Sequence, residues 1–191
     1  MTDVKINILY VGKLEKRRNI DFLLKVIKDI VQINKDVHVT IIGSGNANYI
    51  RTIEAEMLEL DKKGFLSYYE KCSQSELGFI YKKADLMLFP SNYEIFGMTL
   101  MEAMYFGVAC ISSLNGGSSQ LIESGIDGII LDTFETEQWV LTVNSLITDK
   151  EKLLKIQKRA IEKIQHNYRW DCLVRKFIRI YEDTAGECKQ I

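Results

Sequence analysis

The sequence predicts an α/β domain built on a doubly wound parallel sheet of about six strands, with helices on both faces and a helical C-terminus. Three observations predict it. Short apolar runs of strand length alternate with amphipathic stretches of helical period from Lys5 to Leu131. Turn-forming or glycine-rich loops follow the strands, as at Gly12-Lys13, Gly43-Ser44-Gly45, Pro90 and Asn115-Gly116-Gly117. No linker, repeat or low-complexity stretch divides the 191 residues, so they read as a single domain. Parallel strands need long crossovers, and strand–helix–strand alternation supplies them.

Lys5–Val11 reads as the first strand, ended by Gly12. Ile20, Leu23, Leu24, Ile27, Ile30 and Val31 then repeat at the spacing of one helix face. Val37–Ile42 is the second strand, closed by Gly43-Ser44-Gly45, and a helix from about Asn48 to Lys63 carries Ile50, Ile53, Met57 and Leu60. Phe65–Tyr69 is the third strand and Ser75–Lys83 a short helix. Asp85–Phe89 is the fourth strand, stopped by Pro90, the only proline of the chain. Phe96–Phe106 reads as a helix, Val108–Ser112 and Gly128–Leu131 as the last strands. After Thr133 the pattern is helical throughout, over about 135–147, 149–166 and 170–183. This order is Rossmann-like, and in such sheets ligands bind outside the carboxyl ends of the strands.

Bulk properties narrow the function. A hydrophobic content of 47%, a charged content of 27% and a net charge of −1 are ordinary globular values and give no general attraction to nucleic acid. No apolar run approaches the roughly 18 residues of a membrane span, and the N-terminus lacks the apolar stretch of a signal peptide. Cys72, Cys110, Cys172 and Cys188 are scattered, which predicts reduced thiols in a cytoplasmic protein rather than a disulfide frame or zinc site. His38, in an apolar run, reads as a structural histidine. Residues 150–179 carry ten Lys and Arg against three acids, a local charge of +7. A solvated helix face explains this; peripheral contact with an anionic membrane, on the inner face, is the sharper reading.

Two stretches carry chemistry. In Gly12-Lys13-Leu14-Glu15-Lys16-Arg17-Arg18-Asn19, four cations precede a helix start, where free amides and the helix dipole already favour an anion. In Pro90-Ser91-Asn92-Tyr93-Glu94-Ile95-Phe96-Gly97-Met98-Thr99-Leu100-Met101-Glu102-Ala103, Gly97 opens a helix whose first amides, at Met98, Thr99 and Leu100, suit a diphosphate. Glu102, about one turn along, can accept two hydrogen bonds from a vicinal diol such as a ribose. Glu94, in the preceding loop, can reach a different part of the same ligand.

The pattern Pro-Ser-x-x-Glu-x-Phe-Gly-x-x-x-x-Glu-Ala, with seven residues between Glu94 and Glu102, resembles the signature of retaining GT-B glycosyltransferases of the group 1 family. The resemblance covers about residues 5–183 and corresponds to the C-terminal, donor-binding half of those enzymes. Gly12-Lys13-Leu14 is similar to the family's Gly-Arg-Leu, and Arg18 falls at its lysine. Gly43-Ser44-Gly45 resembles its Gly-x-Gly turn, Gly116-Gly117 with Gly125 and Gly128 its later glycines, and Tyr168-Arg169-Trp170 the start of its last helix. Lys13 departs from the arginine, keeping charge but losing bidentate geometry. Ala109 stands where Gly-x-Pro is usual after the helix, Gln120 where a glutamate often follows the Gly-Gly turn, and Glu70 at a frequent glycine position.

The resemblance implies a donor substrate, a UDP- or GDP-sugar, with Lys13 and Arg18 on its diphosphate. Glu94 would contact hydroxyls of the transferred hexose, and Glu102 the ribose. Gly12 and Gly43 would let the ligand approach the backbone, and Lys71 and Cys72 would border the base. The leaving diphosphate would be stabilised by cations and helix-end amides, with no metal required. The N-terminal acceptor domain is expected to be absent from these residues and supplied as a missing domain or a partner subunit. The alternatives are a non-catalytic sugar-nucleotide module working with a partner, and part of a sugar-nucleotide epimerase. A dinucleotide-binding domain is disfavoured because no Gly-x-Gly-x-x-Gly follows the first strand.

Overall fold

The central strands are apolar on both faces because both faces are covered, which is what a parallel sheet flanked by helices requires. A computed structural model describes residues 5–187. Its strands are β1 (Ile6–Val11), β2 (Val37–Ile42), β3 (Leu66–Tyr69), β4 (Leu86–Phe89), β5 (Ala109–Ser113) and β6 (Ile129–Leu131). All lie in one six-stranded sheet of order β3-β2-β1-β4-β5-β6, and every pairing is parallel. Every residue of β4 and of β5 is buried.

The helices are α1 (Ile20–Ile33), α2 (Ala47–Lys62), α3 (Gln74–Lys83), α4 (Met98–Tyr105), α5 (Gly116–Leu121), α6 (Thr136–Thr148), α7 (Lys150–Asn167) and α8 (Trp170–Glu187). They cover both sides of the sheet. Packing follows the stripes read from the sequence: α1 buries Phe22, Leu23, Ile27, Ile30 and others against the sheet and α6. Each such side chain contributes about 1.5–3 kcal/mol on leaving water. Trp139 of α6 is fully buried, stacks edge-on against Phe22 at 5.5 Å and donates its indole N–H to Thr133 O at 2.8 Å.

The predicted elements are all present, with ends within two or three residues of expectation except at the C-terminus, where α8 runs to Glu187. The exception in kind is Gly116–Leu121. The glycines at 116 and 117 read as a loop, yet these residues form a short helix. A capping box overrides their poor propensity: Asn115 Oδ1 accepts from the Ser118 amide, and Ser118 Oγ accepts from the Asn115 amide. His38 is structural, its ring set between Gly64 O and Ser67 Oγ. Cys72, Cys110 and Cys172 are free thiols, and Cys188 lies outside the described residues.

Candidate functional site

The order of the sheet creates the site. β1 lies beside both β2 and β4, so crossovers leave the sheet centre in opposite directions and a crevice opens at the carboxyl ends of β1 and β4. The loops that follow those two strands meet there: the Asn92 amide donates to Arg17 O at 2.9 Å.

The loop after β1 is stitched to the loop after β2. The Gly12 amide donates to Ile42 O and the Leu14 amide to Ser44 O, each at 3.0 Å. That approach is possible only with glycine opposite. A Cβ on Gly43 would lie 1.8 Å from Gly12 O, and one on Gly45 would lie 1.8 Å from Leu14 O. The buried Tyr10 donates its hydroxyl to Lys13 O at 3.0 Å, pinning the backbone while the Lys13 side chain stays exposed. Lys16–Arg18 form a single 3₁₀ turn ending on Asn19. Asn19 is left-handed at φ 59°, a conformation asparagine tolerates better than most residues.

Arg18 turns into the crevice. Its Nη1 donates to Ser91 Oγ at 3.2 Å and to Glu94 Oε2, and the guanidinium lies 5.4 Å from the centre of the Phe89 ring. Its Nε is buried and meets no acceptor among the described residues. The Glu94 carboxylate also accepts from the Ile95 amide at 3.1 Å. Burial would raise the Glu94 carboxyl, but the hydrogen bond and charge of Arg18, with the Gly97 and Ile95 amides, outweigh it and hold the group below the usual carboxylate range.

Gly97 is left-handed at φ 81° and opens α4. The Met101 amide donates to Gly97 O, so Met98, Thr99 and Leu100 supply the helix amides with no acceptor inside the helix. The Leu100 side chain is in the core and offers only its backbone; that of Met98 is exposed. Glu102 sits one turn along, half-buried, with Oε2 accepting from the Tyr81 hydroxyl at 3.0 Å. The start of α5 packs under Glu94: the Gly117 amide donates to Glu94 O at 2.7 Å, and a Cβ there would press on Glu94 Cγ at 2.8 Å.

The structure thus brings Gly12, Lys13, Arg18, Gly43, Glu94 and the start of α4 to one crevice edge. Lys71 and Cys72 stand apart, beyond the end of the edge strand β3, where they line an open cleft of about 550 Å³ with Tyr69, Phe79 and Ile80. Burial, and then the charge of Glu76, pushes the Cys72 thiol up. Tyr10, Tyr81, Phe89 and Ser91 contact Lys13, Glu102 and Arg18 of the candidate site. All but Tyr10 act on residues distant in the chain, so no local spacing marks them. Among the described residues, no group of three or more His, Cys, Asp or Glu is placed to hold a metal, and no helix is long and apolar enough to cross a membrane.

A doubly wound sheet of this order, with cations, helix-end amides and carboxylates along its switch-point edge, is an α/β domain of the kind that forms half of a GT-B fold. The profile of the family described as "Glycosyl transferases group 1" matches residues 3–163, and the chain belongs to that family. Among curated relatives, spore coat protein SA of Bacillus subtilis is 26% identical over 183 residues, covering 92% of this chain and 48% of its own length. A D-inositol 3-phosphate glycosyltransferase of Corynebacterium efficiens is 24% identical over 186 residues, covering 95% and 44%. The chain therefore spans about half the length of the curated relatives it matches. Among solved structures, the C-terminal domain of the group 1 glycosyl transferase LpcC of Francisella tularensis superposes with a TM-score of 0.77 at 16% identity, over 87% of each chain. Anabaena HepE in complex with UDP and glucose superposes with a TM-score of 0.75 at 18% identity, over 98% of this chain and 49% of HepE.

Proposed function

We propose that this domain binds the nucleoside diphosphate sugar donor of a glycosyltransferase. It would serve transfer of a hexose-type sugar to an acceptor with retention of configuration, in polysaccharide or glycan biosynthesis. The observation that carries this reading is the convergence of Arg18, Glu94 and the open amides of α4 at the crevice between β1 and β4. Lys13, Arg18 and the Met98, Thr99 and Leu100 amides would meet the diphosphate, where negative charge grows as the sugar departs. Glu94 would meet hydroxyls of the sugar, Glu102 those of the ribose, and the cleft beside Lys71 and Cys72 the base. The reading assigns no role to a metal ion. HepE, a fold neighbour, is known with UDP and glucose, which supports a UDP-sugar as the first donor to test.

Acceptor binding is assigned to a second domain or partner subunit, in keeping with relatives about twice the length of this chain. Holding two reactants in reacting geometry supplies about 7–11 kcal/mol of a barrier, so the isolated 191 residues should bind the donor without efficient transfer. Isothermal titration with UDP-, GDP- and ADP-sugars tests the proposal; failure of all three to bind would overturn it.

A further inference from the structure

We propose that Tyr81 is a positioning residue of the nucleotide site, its phenol holding the Glu102 carboxylate in the orientation that receives the ribose diol. The proposal rests on the assignment of Glu102 to the ribose made above. Tyr81 lies on α3, 21 residues before Glu102, and its side chain reaches across from α3 to Glu102 on α4 and to Phe106 just beyond it. The Tyr81 side chain is 1% exposed, and its ring stacks on Phe106 at 5.5 Å with the planes 7° apart. The ring is therefore fixed, and the hydroxyl points in one direction.

A glutamate on a helix surface ordinarily has a soft terminal torsion, so its two oxygens take no single orientation. Here Oε2 is tied to the Tyr81 hydroxyl at 3.0 Å. Oε1 meets no donor among the described residues, and the residue is only half-buried, which leaves that oxygen and a second lone pair of Oε2 able to accept from a ligand. Burial, reinforced by the charge of Glu102, pushes the Tyr81 phenol well above its ordinary range, so it stays protonated and remains a donor. Orienting the carboxylate beforehand lowers the ordering cost that a diol would otherwise meet on binding. A buried phenylalanine would fill almost the same space; the hydroxyl is what the site uses.

The test is titration calorimetry with UDP against 2′-deoxy-UDP, and GDP against 2′-deoxy-GDP, on the wild type, Tyr81→Phe, Glu102→Gln and the double variant. The wild type should prefer the ribonucleotide. Tyr81→Phe should narrow that preference by about three- to tenfold, the scale of one hydrogen bond, while affinity for the 2′-deoxy ligand stays within about twofold. It should change nothing further in the Glu102→Gln background. A Tyr81→Phe variant that keeps the full preference while Glu102→Gln abolishes it overturns the role of Tyr81 and leaves the ribose assignment standing. Equal weakening of both ligands by Tyr81→Phe would show a merely structural residue and overturns it too. A wild type with no preference, or with no binding of either pair, overturns the ribose assignment and this proposal together.

Discussion

Arg18 and Glu94 are joined across the crevice: the Arg18 guanidinium donates to the Glu94 carboxylate and to Ser91 Oγ, although 76 residues separate the two charges in the chain. Their side chains are 12% and 17% exposed. A partly desolvated pair of this kind leaves a costly orphan when one member is removed. The cation assigned to the diphosphate is thus also the counterion of the carboxylate assigned to the sugar, and both assignments can be tested through the pair.

Arg18→Ala should weaken binding of the nucleoside diphosphate by about 1.5–3 kcal/mol, the usual value of a hydrogen bond to a charged group. The plain nucleoside should bind as before. Calorimetry on UDP and uridine, or GDP and guanosine, checks this; equal losses for both would remove Arg18 from the diphosphate. The same variant should unfold about 1–3 kcal/mol more easily in urea, because Glu94 keeps its charge without its partner.

Glu94→Gln and Glu102→Gln should part company. Glu94→Gln frees Arg18, so affinity for the sugar-free diphosphate should hold or rise while that for the intact sugar nucleotide falls. Glu102→Gln should weaken both ligands alike. Identical profiles for the two variants would end the division of labour between them. Glu94 also predicts an acid effect. Its folded carboxyl lies below its unfolded value, so its contribution is full above the unfolded value and is lost as pH falls through the folded one. Urea unfolding should show the wild type losing its advantage over Glu94→Gln as pH drops below about 4.

Gly43 and Gly64 should respond differently to alanine. At Gly43 a Cβ would collide with the backbone of Gly12, so the stitched loops must part. Gly43→Ala should cost at least about 2 kcal/mol, at the level of overpacking, and should weaken diphosphate binding as well. Gly64, left-handed at φ 75° with open space around it, should lose only about 1–2 kcal/mol from the backbone conformation. Its ligand affinity should be unchanged.

The basic segment places Lys150, Lys152, Lys155, Lys158 and Arg159 on the exposed face of α7. Several cations of the segment are paired, Lys158 and Arg159 with Glu162, Lys163 with Asp127, and both Arg169 and Arg175 with Asp171. Each free cation near an anionic leaflet is worth roughly 1 kcal/mol before screening. Sedimentation should therefore show modest, salt-sensitive binding to anionic vesicles and none to neutral ones. Equal behaviour toward both would leave α7 as a solvated face.

The sequence by itself determined the succession of strands and helices and the family, and it pointed to the edge of the sheet where the candidate site is proposed. These follow from signals local in the chain: apolar residues recur at the period of the element they build, and Gly12, Gly43, Pro90 and Gly97 mark where each element stops or starts. Local period was silent or misleading only where a few hydrogen bonds outweigh propensity, as in the capped turn at Gly116–Leu121. Only the tertiary structure decided which charges meet. That β1 pairs with β4, and not with β3, is a property of the whole sheet, and it alone sets Arg18 against Ser91 and Glu94. The same holds for Tyr81 and Glu102, which touch because the Tyr81 side chain reaches from one crossover to the next. Burial reads out residue by residue, whereas a hydrogen bond between distant residues depends on the path the chain takes between them.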